Sequence, residues 1–195
     1  MKVKFHHSQD YDQMLTVMMG IKFDPLKARE YKIDFQTEWE NQENKILKTI
    51  EKASKLKFKS KIDCYIVQSM AYKAISHPLT ISTEEDVQKN IHLLIHELIH
   101  IILVQNQTNQ LLRKLEKNYE NHDAMVHVPV LLVQKRVEEI LYGKKSFTNH
   151  IDGLEAHLPI ITRLYPKYVK QRSNVLEFLL KWVLQENIFL KKKIY

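Results

Sequence analysis

The segment from Ile91 to Val104 limits the possible folds of this chain more than any other feature. It is apolar nearly all round, and its ionisable residues are His92, His96, Glu97 and His100. Apolar residues recur at helical spacing through the segment and just before it, beginning at Val87, which predicts a helix buried on most sides. The ionisable side chains need hydrogen-bonding or metal partners, because an unpaired polar group inside a protein is costly.

The start of this helix is predicted from the residues Ser82-Thr83-Glu84-Glu85. They fit a capping box with Ser82 at the N-cap and Glu85 at the third helical position, and their acidic side chains oppose the positive end of the helix dipole. We predict a helix over about 83–105, because the polar stretch 106–110 follows directly.

The rest of the chain is predicted to be mainly helical, because only 3 Gly and 5 Pro occur in 195 residues. β-branched and aromatic residues predict a strand over Ile62–Val67, with shorter strands at Val3–Phe5 and Leu79–Ile81. Pro78 favours an edge position for the last of these. Helical patterns cover about residues 8–19, 27–56, 111–119, 129–142, 153–171 and 173–191. We therefore predict an α+β fold, predominantly α-helical with a small mixed or antiparallel sheet, in a single domain over residues 1–195.

The helix carries the sequence His96-Glu97-Leu98-Ile99-His100, which is an HExxH motif. Residues i and i+4 lie on one face of a helix, so both imidazoles can reach one cation. Glu97 lies beside that pair, where it can take a proton from a water that zinc has made more acidic. We predict zinc bound by His96 and His100, with Glu97 as general base. The alternative is a pair of core histidines that hydrogen bonds satisfy without a metal.

These five residues and their helical setting resemble the zincin metallopeptidases. In that superfamily the motif helix follows a small sheet whose edge strand aligns an extended peptide, and Ile62–Val67 and Leu79–Ile81 stand in the matching place. The resemblance implies a zinc-dependent hydrolase acting on peptides or proteins. It also implies that Glu97 passes the proton of the attacking water to the leaving amine.

A catalytic zinc site has three protein ligands and one open position, so one more ligand is needed. The metzincin continuation of the motif is absent, since Leu103 and Asn106 stand at its Gly and His positions. The gluzincin pattern places a glutamate on a later helix, and Glu120 has that spacing. We favour His127 because it lies in an apolar segment, just before Pro129 is expected to start the next helix. The His-apolar-Pro-Val order there also resembles small bacterial zincin-like proteins. The open alternatives are Glu120, His122, His150 and His157.

Other residues have weaker claims to a role in the site. His92 lies one turn before His96, where it lines the cleft or forms a hydrogen bond in the core. Asp123 precedes His127 by one turn and is either its hydrogen-bond partner or solvated. The candidates for stabilising an oxyanion are Tyr142, Tyr165, Arg136 and Arg163.

The net charge of +7 permits an acidic partner, but the lysines are spread along helical faces and show no nucleic-acid-binding signature. We therefore expect no nucleic acid partner. The longest apolar run, Ile91–Val104, is too short to span a bilayer, so we expect no membrane partner either. The single cysteine, Cys64, and an N-terminus without an apolar signal region predict a cytoplasmic location. Two rival functions stay open. One is a zinc-binding or catalytically degenerate binding module, and the other is a basic helical protein that associates with nucleic acid.

Overall fold

A computed structural model of the chain describes residues 1–107, 122–143 and 158–186. These residues form an α+β structure with a small mixed sheet, as the sequence predicts. In chain order the elements are β1 (Val3–His6), α1 (Gln9–Met18), α2 (Lys27–Ser54), β2 (Ile62–Val67), β3 (Ala74–Ser76), β4 (Leu79–Ser82), α3 (Val87–Asn106), α4 (His122–Tyr142), α5 (Leu158–Lys170) and α6 (Val175–Glu186). The helix predicted over 111–119 lies outside the described residues.

The sheet has the strand order β1-β2-β4-β3. β1 and β2 are parallel, β2 and β4 are parallel, and β3 pairs with β4 in the antiparallel direction. Two of these strands differ from the sequence prediction. Leu79–Ile81 belongs to an internal strand, because Pro78 lies in the turn before β4 and so removes no hydrogen bond from the sheet. The edge strand beside β4 is β3, which the sequence pattern did not reveal, and β1 forms the opposite edge.

The start of α3 also differs from its prediction. Ser82 is the last residue of β4, so the helix begins at Val87 and not near residue 83. Asp86 caps it instead, since its carboxylate accepts a hydrogen bond of 2.9 Å from the backbone N–H of Lys89. The predicted capping box is therefore wrong, because its residues are used by the strand and the following turn.

One compact unit consists of Met1–Lys48 and Ser60–Leu98. Its core includes Phe5 of β1, whose ring packs edge-on against Phe35 at 5.3 Å and Trp39 at 6.3 Å between centroids. The buried carboxylate of Glu43 accepts hydrogen bonds from the Val3 N–H at 2.6 Å and the Trp39 indole at 3.1 Å. These contacts join the first strand to α2.

A second compact unit consists of Thr49–Lys59 and Ile99–Tyr195. Within it the Tyr168 hydroxyl of α5 donates a hydrogen bond to the Ala53 carbonyl, and the Tyr168 ring packs against Phe178 of α6 at 5.5 Å. Fully buried valines and leucines of α4 add to its core. The single domain expected over residues 1–195 stays a prediction.

Pro129 lies inside α4, which begins at His122, so the prediction that this helix begins at Pro129 is wrong. A proline inside a helix removes one backbone hydrogen bond and costs about 3 kcal/mol. The neighbouring Val128 and Val130 are fully buried, and their burial offsets that cost. His127 is consequently a helical residue, and its position is set by the helix.

The 20 residues of α3 are, by length and composition alone, enough to cross a membrane. The apolar run Ile91–Val104, which we expected to be too short to span a membrane, is part of this longer helix. Most residues of α3 are buried inside the protein, a property shared by core helices of soluble proteins. No other helix in the described part of the chain meets this test. The absence of a membrane partner and the cytoplasmic location stay predictions.

Candidate metal centre

The HExxH residues lie in the middle of α3, where most of the residues from Ile91 to Leu103 are buried. His96 is 5% exposed and Glu97 is 8% exposed, while His100 is half-buried. The apolar neighbours that bury them are what the sequence pattern predicted for this helix. His96 and His100 are one helical turn apart, so they present their rings to the same side of α3.

His127 of α4 completes a group of three histidines with His96 and His100. Each residue offers one ring nitrogen to the group, and these atoms all lie within 4.8 Å of one another. The rings of His100 and His127 are 5.3 Å apart between centroids and nearly perpendicular, at 88°. The group could hold a metal ion, and it contains the three ligands that we predicted from the sequence.

The donor set of the group fits zinc. Neutral imidazole is a preferred zinc ligand, and three protein nitrogens with one open position form a common catalytic arrangement. Nitrogens on one tetrahedral zinc at about 2.0–2.1 Å lie about 3.3 Å from each other, and the separations in this group, all within 4.8 Å, are close to that requirement. The identity of the metal stays a prediction, since imidazole also suits copper, nickel and iron.

The carboxyl group of Glu97 lies in an environment that disfavours its charge. Burial raises its pKa to about 7, and a hydrogen bond from the Ser76 hydroxyl of β3 opposes part of that rise. Cys64 of β2 is also buried. Its burial, and secondly the nearby charge of Glu97, raise the pKa of its thiol. A cation bound by the three histidines would lower the pKa of Glu97 again.

In the metal-free protein, Glu97 should make the free energy of unfolding depend on pH. Its pKa is about 7 in the folded chain against an ordinary value of 4.5, so the folded state binds more protons between these values and its stability falls as pH rises. Glu97→Gln does not titrate. Wild type should therefore lose about 3 kcal/mol of its free energy of unfolding, relative to this variant, from pH 4.5 to pH 8. Urea denaturation in the presence of a chelator measures it.

Glu85→Gln is a control of opposite sign for this experiment. Hydrogen bonds from Lys73 and then Lys89 lower the pKa of Glu85, so its contribution to stability is present above pH 4.5 and is lost as pH falls. The difference between this variant and wild type should therefore decrease as pH rises. A difference for Glu97→Gln that is constant with pH would contradict the buried, protonated carboxyl group.

The other candidate ligands are not part of the described site. Glu120, His150 and His157 lie outside the described residues, as do the side chains of His122 and Asp123. His92 is half-buried one turn before His96 and is not among the three grouped histidines. Its role in the cleft stays a prediction.

Three of the four candidates for stabilising an oxyanion lie far along α4 from His127 or pair with other residues. Along α4, Arg136 and Tyr142 follow His127 by about 14 and 22 Å at the helical rise of 1.5 Å per residue. The Tyr165 hydroxyl donates a hydrogen bond to Glu139, which also pairs with Arg136 at 3.6 Å. Arg163 is exposed on α5. These contacts and positions give no support to an oxyanion-stabilising role for Arg136, Tyr142 or Tyr165.

Ser76 is a residue of the site that the sequence pattern did not indicate. Its strand has three residues, Ala74-Ile75-Ser76, and a segment this short shows no usable alternation of polar and apolar side chains. A signal was present in the hydroxyl residues of 76–83, which flank Pro78 immediately before the motif helix. That signal indicates a turn and does not identify which hydroxyl reaches Glu97.

Comparisons of the chain with protein-family models, with curated proteins and with solved structures find no match. The resemblance to zincins therefore rests on the HExxH motif at 96–100 and on its helical setting. The grouping with His127 is an observation about the geometry of this chain alone.

Proposed function

We propose that the protein is a zinc-dependent hydrolase that cleaves peptide bonds. The observation that carries this proposal is the group of His96, His100 and His127, with the buried carboxyl group of Glu97 next to His96 on the same helix. Zinc held by the three imidazoles would supply a Lewis acid that activates water and polarises a carbonyl group. Helices α3 and α4 supply these residues, and a rigid element holds a ligand more accurately than a loop does.

Glu97 is the general base in this proposal. Its carboxylate takes a proton from the attacking water and returns it to the leaving amine, and both transfers require a pKa close to neutrality. Burial raises the pKa of Glu97 in the metal-free protein, and a cation held by the histidines would lower it from that value and favour the carboxylate that acts as base. The buried surroundings also keep bulk water from competing for the carboxylate.

A peptide is the substrate class that the sheet favours. β3 is one of the two outermost strands of the sheet in the described residues, and it is the one that contacts Glu97, through Ser76 at its end. An extended peptide can pair with the backbone of an edge strand, which gives affinity without requiring a specific side chain. Such a peptide on β3 would lie close to the general base.

Zinc content and hydrolysis together test the proposed function. We expect about one zinc per chain by elemental analysis, and cleavage of a peptide library that stops with a chelator and returns with added zinc. His96→Ala and His100→Ala should each lose most of the metal and the cleavage. Protein that binds no zinc even after reconstitution would contradict the proposal. Zinc without cleavage would instead support a binding module.

A further inference from the structure

The edge strand of the sheet supplies a hydroxyl group to the general base. Ser76 is the last residue of β3 and pairs with Leu79 of β4 across a turn formed by His77 and Pro78. Its side chain is half-buried and forms a hydrogen bond with Glu97. An ionised carboxylate accepts hydrogen bonds and donates none, so the Ser76 hydroxyl is the donor.

A second contact of the Ser76 hydroxyl is with the neighbouring His77 ring. The Nδ1 atom of His77 lies 3.2 Å from the Ser76 oxygen. A hydroxyl has one proton to donate, so when that proton is directed at Glu97 the oxygen accepts a hydrogen bond from the His77 ring. His77 is exposed, and its contribution is therefore small beside that of the Ser76 proton.

We propose that Ser76 is a positioning residue, which holds the Glu97 carboxylate in the orientation that accepts a proton. This inference rests on the proposed function, in which Glu97 is the general base. The side chain of a buried glutamate has several rotamers, and a donor on a different element selects one of them. Ser76 acts through Glu97 and makes no contact with the reacting atoms in this proposal.

The position of Ser76 joins substrate alignment to the geometry of the base. The backbone of β3 is the part of the sheet that we propose pairs with the peptide, and the side chain at its end orients the carboxylate. A shift of this strand would therefore move the substrate and the base together. Misplacement of a catalytic group by about 1 Å can lower the rate of an enzyme about a hundredfold.

Ser76→Thr and Ser76→Val form a matched pair that tests the proposal. Both residues suit a strand and have nearly the same shape, but only threonine keeps the hydroxyl. With a peptide chosen from the library, we expect Ser76→Val to lower kcat about tenfold with little change in KM, and Ser76→Thr to retain kcat. Zinc content should be unchanged in both variants.

A second readout does not depend on hydrolysis. In metal-free protein labelled with carboxyl ¹³C-glutamate, the NMR resonance of Glu97 is the one that disappears in Glu97→Gln. At a fixed alkaline pH we expect this resonance to be displaced in Ser76→Val and close to its wild-type position in Ser76→Thr. A change in strand packing would affect both variants alike.

The two readouts separate failure of this inference from failure of the proposed function. Equal kcat values and equal Glu97 resonances in the two variants would overturn the role of Ser76. If wild-type protein cleaves no peptide, the proposed function fails and so does the positioning role, while the resonances still test the Ser76–Glu97 contact.

Discussion

Glu97→Gln is expected to keep its zinc and its fold and to lose hydrolysis about a thousandfold. Glutamine has nearly the shape of glutamate but cannot accept a proton at its amide, and general acid–base catalysis contributes about 10²–10⁴-fold to a rate. The substitution should be tolerated because Glu97 is 8% exposed, in surroundings that favour a neutral side chain. Zinc content and the rate of peptide cleavage should be measured on the same preparation.

Glu30→Gln is a suitable control, because Glu30 is exposed in the first turn of α2. It makes the same change in charge and should leave zinc content and cleavage rate unaltered. Loss of zinc from Glu97→Gln would show that Glu97 is a ligand and would contradict its role as a base. Full activity in Glu97→Gln would remove the general base from the mechanism and with it the strongest reason for proposing a hydrolase.

The parts of the site that were predictable from sequence depend on local spacing. His96 and His100 share a helical face because they are four residues apart, and an apolar segment around them indicates burial whatever the rest of the fold is. His127 is different, because its approach to the other two depends on how the chain returns to α3. The apolar character of its segment was the available signal, and the grouping in the structure agrees with it.

The mistakes concern features in which local signals compete with long-range pairing. Ser82 has a favourable helix-capping pattern, but its backbone lies in β4 beside Val67 of β2. Pro129 has the properties of a first-turn residue, yet the helix extends before it to His122. The short strand that contains Ser76 exists through its pairing with β4, and no local property of three residues reports such a pairing.

His127→Ala is expected to weaken zinc binding at least about a hundredfold. Structural zinc sites bind with about 10–16 kcal/mol through four ligands, so one ligand contributes about 3 kcal/mol, and 1.4 kcal/mol corresponds to a factor of ten. Val128 and Val130 are fully buried on either side of Pro129, so α4 holds the His127 backbone firmly. Removing the ring should therefore remove a preformed ligand. Competition with a chelator of known affinity measures the change.

His122→Ala and Glu120→Ala are the matched controls for His127, and we expect them to leave zinc affinity nearly unchanged. His122 is the first residue of α4, and five helical positions place its backbone about 140° around the axis from His127. If either control variant lost its zinc while His127→Ala kept it, the third ligand would be His122 or Glu120 and not His127. The assignment of His96 and His100 would be unaffected.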